Sequence, residues 1–136
     1  MYDTILVATD GSEAATRAVE HAIDLATTFD ASLHAIYVVD TRRYGRAVLS
    51  DSDDLLDELE TRGHDVLDDI TSGADIDVST IVRRGRPHEV IDAYAGEIDA
   101  DIVILGNRGL GAGREGQIGS VAERVVRYVD RPVMTA

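Results

Sequence analysis

The chain has 136 residues, enough for one domain, and no cysteine, which excludes disulfides, thiolate metal sites and a cysteine nucleophile. Its 26 acidic residues outnumber its 13 basic ones, all of them arginine, and the formal net charge is -13. A surface with this charge repels polyanions, so we expect no nucleic-acid partner. The sequence shows neither a basic leader nor an apolar run of membrane-spanning length, which predicts a cytoplasmic protein without a membrane partner.

The acidic residues are unevenly chosen, because aspartate outnumbers glutamate 18 to 8 and lysine is absent. This composition resembles that of proteins from salt-loving organisms, in which high ionic strength screens the repulsion between acidic groups. The composition therefore predicts a halophilic protein.

The first half of the chain predicts two strands separated by a helix. Residues 4–8 form a short continuous apolar run, typical of a strand covered on both faces, and the turn signal Thr9-Asp10-Gly11-Ser12 follows it. We expect a helix next, with Ser12 as its N-cap and an apolar face made of Ala15, Ala18, Val19, Ala22, Ile23, Leu25, Ala26 and Phe29. A second strand is predicted over residues 32–39, then a polar loop from Thr41 to about Ser50.

The second half continues the alternation. From Asp51 an apolar stripe predicts a second helix, in which Gly63 costs about 1 kcal/mol relative to alanine. Residues 77–82 predict a third strand, and Pro87 starts a helix that buries Val90, Ile91, Tyr94 and Ile98. Residues 101–105 are the most strand-like run. After a glycine-rich loop come a last helix, carrying Val121, Val125, Tyr128 and Val129, and a short strand over 132–135.

Strict alternation of strands and helices predicts an α/β fold, an open parallel five-stranded sheet with helices on both faces, built as a single domain over residues 1–136. Ligands of such sheets bind beyond the carboxyl ends of the strands, where the strand order reverses. The loops after the first and fourth strands have the most unusual sequences in the chain. We therefore expect the site in these two loops.

The loop from Gly106 to Ser120 has the properties of a phosphate-binding loop. Glycines let backbone N–H groups approach phosphate oxygens, and the start of the following helix offers unpaired N–H donors with partial positive charge. The alternative is an ordinary surface loop in which Ser120 and Glu123 form a capping box, and both interpretations can hold for Ser120. Arg108 and Arg114 are the only cations of the loop; they screen phosphate charge or are simply solvated.

Asp10 predicts a different role for the first loop. A carboxylate repels phosphate unless a cation intervenes, so Asp10 is better suited to hydroxyl groups or a metal ion, or serves only as a turn residue. The four histidines are far apart and have no metal-ligand spacing, which predicts no metal site of their own.

The spacing Gly106-x-x-Gly109, nine residues, Gly119-Ser120 resembles the nucleotide-binding signature of the universal stress protein family, in its ATP-binding branch. Residues 5–12 and 85–87 resemble the family's first strand and turn and its third helix start, so the resemblance covers the whole chain. Asn107 departs from the pattern, because the family more often has a small hydroxyl residue at this position.

The resemblance implies a Rossmann-like, adenine nucleotide alpha hydrolase-like fold, ATP as the ligand, with Mg²⁺ as a possible companion, and a homodimer formed through the C-terminal strand. It also implies that Asp10 contacts the ribose side and that the backbone of Val38 bonds the adenine edge. The predicted nucleotide-binding residues are Ala8, Thr9, Asp10, Val38, Gly106, Arg108, Gly109, Gly119, Ser120 and Val121.

The leading functional hypothesis is a nucleotide-binding regulatory protein of the stress response. The alternative is a slow ATP-hydrolysing or nucleotidyl-transferring enzyme, but phosphoryl transfer usually places a lysine or several arginines around the phosphates, and the chain has no lysine. We therefore predict no catalytic residues and at most weak ATPase activity. A phospho-accepting receiver domain and a flavodoxin-like carrier fit less well, because their acceptor aspartate and their first-loop phosphate site have no counterparts here.

Overall fold

The computed structural model describes residues 2–41, 48–108 and 118–136, and of residues 48–53 the backbone alone. Strands and helices alternate along these residues, as predicted. In chain order they are β1 (Thr4–Ala8), α1 (Glu13–Phe29), β2 (Ser32–Asp40), α2 (Val48–Gly73), β3 (Val78–Gly85), α3 (Pro87–Ile98), β4 (Ile102–Leu105), α4 (Ser120–Tyr128) and β5 (Val133–Thr135).

The five strands form one parallel sheet in the order β3-β2-β1-β4-β5. Ala8 at the end of β1 is in register with Ile36 on one side and Leu105 on the other. The strand order therefore reverses at β1, and the loops after β1 and β4 leave the same edge of the sheet as neighbours. The open parallel sheet that the sequence predicted is confirmed.

Apolar side chains cover both faces of the sheet, because successive residues of a strand point to opposite faces. On one face Ile5 and Val7 pack with Ala18 of α1 and Leu67 of α2. On the other face the core contains Leu6, Ile36 and Val103 from the strands, Ile91 and Ala95 from α3, and Ala122 and Val125 from α4. Helices on both faces are thus confirmed.

Two helix starts follow the predicted local rules. Ser12 is the N-cap of α1, and its Oγ accepts a hydrogen bond from Ala15 N at 3.2 Å. Pro87 is the first residue of α3, where its missing N–H costs nothing. The starts of α1 and α3 could therefore be read from local sequence.

The second helix differs from the prediction in its start and in the role of its glycine. It begins at Val48, inside the segment predicted to be a loop. A Cβ at Gly63 would lie 2.5 Å from Cδ1 of Tyr37, whose side chain is only 6% exposed. Gly63 therefore lets the helix lie directly on an aromatic ring of β2, and the burial of that ring offsets the poor helix propensity of glycine.

The third strand is longer than predicted, because it continues through two arginines to Gly85. Arg83 pairs with Glu97 of α3, and its guanidinium lies 4.9 Å from the centre of the Tyr94 ring. Arg84 Nε donates to Glu60 Oε1 of α2 at 2.5 Å. These two arginines therefore attach the end of β3 to the helices on both faces of the sheet.

Two aromatic side chains that were predicted to lie on apolar helix faces are exposed in the structure. Tyr128 at the end of α4 is 61% exposed, and Phe29 at the end of α1 is 44% exposed and packs edge to face against Tyr2. Both aromatic rings stand at the last residue of a helix, beyond the part that the sheet covers.

A carboxylate fixes the opposite edge of the sheet, at the amino ends of β1 and β4. Asp101 Oδ2 accepts hydrogen bonds from Thr4 N at 2.9 Å and from Asp3 N at 2.7 Å. These two bonds lower the pKa of the Asp101 carboxyl, because they stabilise its charged form. The start of β1 is therefore held in register with β4 far from the candidate site.

Candidate functional site

The loop after β1 uses its own side chains to satisfy its backbone. Thr9 is buried, and its N–H donates to Ile36 O at 3.0 Å. Asp10 Oδ1 accepts from Ser12 N at 2.9 Å, and Thr9 Oγ1 accepts from Gly11 N at 3.2 Å. These N–H groups are therefore already bonded within the protein, which leaves the loop poorly suited to bind a phosphate.

The loop after β4 touches the start of α1 so closely that it requires glycine. A Cβ at Gly106 would lie 2.7 Å from both Ala14 C and Ala15 N, which are backbone atoms that cannot rotate away. Gly106 was predicted from its place in a phosphate-binding pattern, but the structure gives it a packing role as well. Its contact with α1 brings the two candidate loops together.

Among the residues that the structure describes, no side chain caps the start of α4. Gly119 is the N-cap, with φ -69° and ψ 156°, and Ser120 is the first helical residue. The capping box of Ser120 and Glu123, which was the alternative for this loop, does not form: the N–H of Glu123 bonds Gly119 O at 2.9 Å, while its carboxylate pairs with Arg127 at 3.0 Å. A helix start without a side-chain cap keeps its partial positive charge available to an anion.

Asn107 joins three elements at the carboxyl edge of the sheet. Its N–H donates to Ala136 O at 2.7 Å, and its C=O accepts from Gly119 N at 2.5 Å. The end of β4, the residue after β5 and the N-cap of α4 are therefore tied together. The side-chain Oδ1 is buried and has no hydrogen-bond partner in the described part of the chain. Sequence reasoning noted Asn107 only as a departure from the family pattern.

The second strand extends past the end of β1. Register with β1 ends at Ile36, opposite Ala8, but β2 continues to Asp40. Backbone polar groups of a strand alternate between its two neighbours, and Ser32 N and Ile36 O both bond towards the β1 side. The N–H and C=O of Val38 must point to that same side, where β1 has ended. They therefore face the space above the Thr9-Asp10 turn.

Charges of both signs surround this edge. Asp10 follows β1, Asp40 ends β2, and the half-buried Arg108 follows β4. Within residues 2–41, 48–108 and 118–136, no group of three histidine, aspartate or glutamate side chains could hold a metal ion. None of the helices described is both long and apolar enough to cross a membrane.

The structure brings most of the predicted site residues to one edge of the sheet. Gly109 and Arg114 lie outside the described residues. The others lie near the carboxyl ends of β1 and β2, in the loops after β1 and β4, or at the start of α4, and they are Ala8, Thr9, Asp10, Val38, Gly106, Arg108, Gly119, Ser120 and Val121.

A parallel α/β protein with converging loops at the reversal of strand order is the class that these observations define. The model of the universal stress protein family matches residues 1–136. A universal stress protein of Methanocaldococcus jannaschii is 33% identical over 138 residues, which cover 98% of this chain and 81% of that protein. The chain therefore belongs to the universal stress protein family.

Solved structures agree with this assignment. The protein MJ0577 has a TM-score of 0.89 and 29% identity, over 100% of this chain and 96% of that one. A universal stress protein in complex with cAMP has a TM-score of 0.65 and 28% identity, over 99% of this chain and 96% of that one. The fold is that of the universal stress proteins, which is adenine nucleotide alpha hydrolase-like.

Proposed function

We propose that this protein binds an adenine nucleotide, with ATP as its ligand, between the loops that follow β1 and β4, and that occupancy of this site regulates a stress response in the cytoplasm. The observation that carries the proposal is the pair of recognition groups on either side of β1. The backbone of Val38 lies on the β2 side, and the start of α4, which no described side chain caps, lies on the β4 side.

The backbone of Val38 suits the adenine edge. Adenine presents a donor and an acceptor side by side on its Watson–Crick edge, and a strand backbone offers the complementary N–H and C=O groups. Because β1 ends at Ala8, no strand on that side competes for these groups. The solved relative in complex with cAMP supports an adenine ligand for this family.

The phosphates belong at the start of α4. The N–H groups of Ser120 and Val121 lie in the first turn of a helix that no described side chain caps, and Arg108 supplies a cation earlier in the same loop. Asp10 is held in its turn by Ser12 N and presents a carboxylate, which suits ribose hydroxyls or a Mg²⁺ ion that accompanies ATP. The residues present thus fit a nucleotide, with its base towards β2 and its phosphates towards α4.

Equilibrium binding to ATP, AMP, cAMP and FMN tests the proposal. The acidic composition supports a working environment of high salt, so titrations belong in molar KCl as well as in dilute buffer. We expect the adenine nucleotides to bind with 1:1 stoichiometry, ATP most tightly, and FMN not to bind. Absence of adenine-nucleotide binding in both buffers would refute the proposal, and release of phosphate over many turnovers, even at a low rate, would favour the alternative of a slow enzyme.

We also propose that two copies pair through β5. Among the described strands it stands at the edge of the sheet and pairs with β4 alone, with Val133 and Met134 half-buried. Pro132 O and the N–H of Ala136 bond towards β4, so the N–H groups of Val133 and Thr135 point outwards. An edge of this kind is commonly protected by pairing, and a two-fold axis would satisfy both copies with one contact.

The substitution Thr135→Pro removes one outward N–H without touching the bonds between β5 and β4. We expect the wild-type chain to have twice its monomer mass in light scattering and the variant to shift towards the monomer by at least tenfold in dissociation constant. Thr135→Val retains the N–H and serves as the matched control. A monomeric wild type, or a proline variant that dimerises as well as the control, would contradict the pairing.

A further inference from the structure

The backbone of Asn107 connects the edge of the sheet at β5 with the start of α4. Its N–H donates to Ala136 O at 2.7 Å, which adds one hydrogen bond to the ladder between β4 and β5. Its C=O accepts from Gly119 N at 2.5 Å, and Gly119 is the N-cap of α4. The position of the helix start therefore depends on Asn107, and the position of Asn107 depends on the end of β5.

Strand β5 is the shortest strand of the described sheet. It has three residues, Val133–Thr135, and among the described strands it pairs with β4 alone. Short elements at the edge of a structure open locally at a small fraction of the free energy of global unfolding. We therefore expect an unpaired β5 to open readily, and each opening breaks the bond between Ala136 O and Asn107 N.

Pairing of two copies through β5 changes this balance. The outward N–H groups of Val133 and Thr135 gain partners in the second copy, so that opening of β5 has to break bonds on both of its sides. A paired β5 holds Ala136 in place, and with it Asn107 and the start of α4. A binding site that is already ordered binds its ligand more tightly, because less conformational entropy is lost on binding.

We propose that nucleotide binding and dimerisation are coupled through the backbone of Asn107, so that each protomer of the dimer binds the phosphates more tightly than the monomer does. The inference rests on the proposed nucleotide site and on the proposed pairing through β5, and it adds a means of regulation to both. Such coupling is reciprocal. If pairing tightens ATP binding by a given factor at each of the two sites, saturating ATP tightens the dimer by the square of that factor.

Two measurements on the wild-type chain in molar KCl test the coupling. Sedimentation over a dilution series gives the dissociation constant of the dimer with and without saturating ATP. Titrations with ATP at protein concentrations well below and well above that constant give the affinities of monomer and dimer. We expect the dimer to bind ATP about fivefold more tightly, and ATP therefore to tighten the dimer about 25-fold. Adenosine, which has no phosphate, should leave the dissociation constant of the dimer nearly unchanged.

The variant Ala136→Pro tests the path of the coupling. The N–H of Ala136 donates to Leu105 O at 3.0 Å, towards β4, and proline removes this bond. The outward N–H groups of Val133 and Thr135 remain available to a second copy. We expect the variant to form dimers whose dissociation constant responds little to ATP. Ala136→Val retains the N–H and is the matched control, with the full wild-type response.

The possible outcomes separate this inference from the proposals on which it rests. If ATP binds equally well to monomer and dimer, or weakens the dimer, the inference is overturned and the proposed site remains. A full response of Ala136→Pro to ATP would show that the coupling bypasses Asn107, with the same consequence. A chain that binds no ATP would refute the nucleotide function, and a chain that is monomeric at every concentration would refute the pairing. The inference fails with either.

Discussion

Gly106→Ala is expected to lower the free energy of unfolding by roughly 1–3 kcal/mol, the range typical of an overpacked core. The added methyl group would lie 2.7 Å from the backbone of Ala14 and Ala15. Neither atom belongs to a side chain that could change rotamer, so either α1 or the end of β4 must move. In a chain of this size the midpoint of thermal unfolding should fall by roughly 3–4 °C for each kcal/mol.

Gly96→Ala is the matched control for that substitution. Gly96 lies inside α3, and a Cβ there meets no atom within 4 Å. Because alanine is the better helix former, this variant should gain up to about 1 kcal/mol. Denaturant unfolding of both variants measures the difference directly. A Gly106→Ala protein as stable as the wild type would disprove the close approach of β4 to α1.

The same substitution has a functional consequence. The contact at Gly106 joins the two loops of the candidate site, so a displaced α1 would separate the Asp10 turn from the start of α4. Under the proposed function, folded Gly106→Ala protein should bind ATP more weakly, whereas Gly96→Ala should bind as the wild type does.

Local signals made much of the fold predictable from the sequence. The Ser12 N-cap, the proline at the start of α3 and the short apolar runs of β1 and β4 each depend on near neighbours in the chain. The alternation of elements then leaves few arrangements other than a parallel sheet. The two loops expected to bind ligand follow from that topology, and the structure places both at the reversal of strand order.

Long-range contacts account for what the sequence did not reveal. The ring of Tyr37 occupies the space that a side chain at Gly63 would need, and the backbone of α1 occupies the space that one at Gly106 would need. Neither partner is near its glycine in sequence. The N–H and C=O groups of Val38 face no neighbouring strand, because the register between β1 and β2 ends at Ile36. The alternative of a capping box at Ser120 and Glu123 matched a local rule, but the N-cap of α4 is Gly119, one residue before Ser120.

Gly119→Val should abolish nucleotide binding while leaving the protein folded. Gly119 has an extended backbone conformation that valine adopts readily, and its N–H bond to Asn107 O does not depend on the side chain. The branched side chain would stand over the start of α4, where the phosphates are proposed to bind. Loss of two charge-assisted hydrogen bonds, at about 1.5–3 kcal/mol each, corresponds to a loss of affinity of 100-fold or more.

Arg86→Val controls for the placement of valine at a helix N-cap. Arg86 is the N-cap of α3, with a similar extended conformation and no side-chain capping bond. We expect both variants to unfold at temperatures close to that of the wild type, and only Gly119→Val to lose ATP.

The way in which the loss of affinity depends on the number of phosphates shows which part of the nucleotide valine at position 119 obstructs. If valine obstructs the phosphates, the loss of affinity should be small for adenosine, larger for AMP and largest for ATP, because each added phosphate brings more contacts to the start of α4. An equal loss for all three ligands would mean that position 119 acts on the base or the ribose. Unchanged ATP affinity in the folded variant would remove the start of α4 from the site, since no phosphate could then occupy the space that the valine side chain fills.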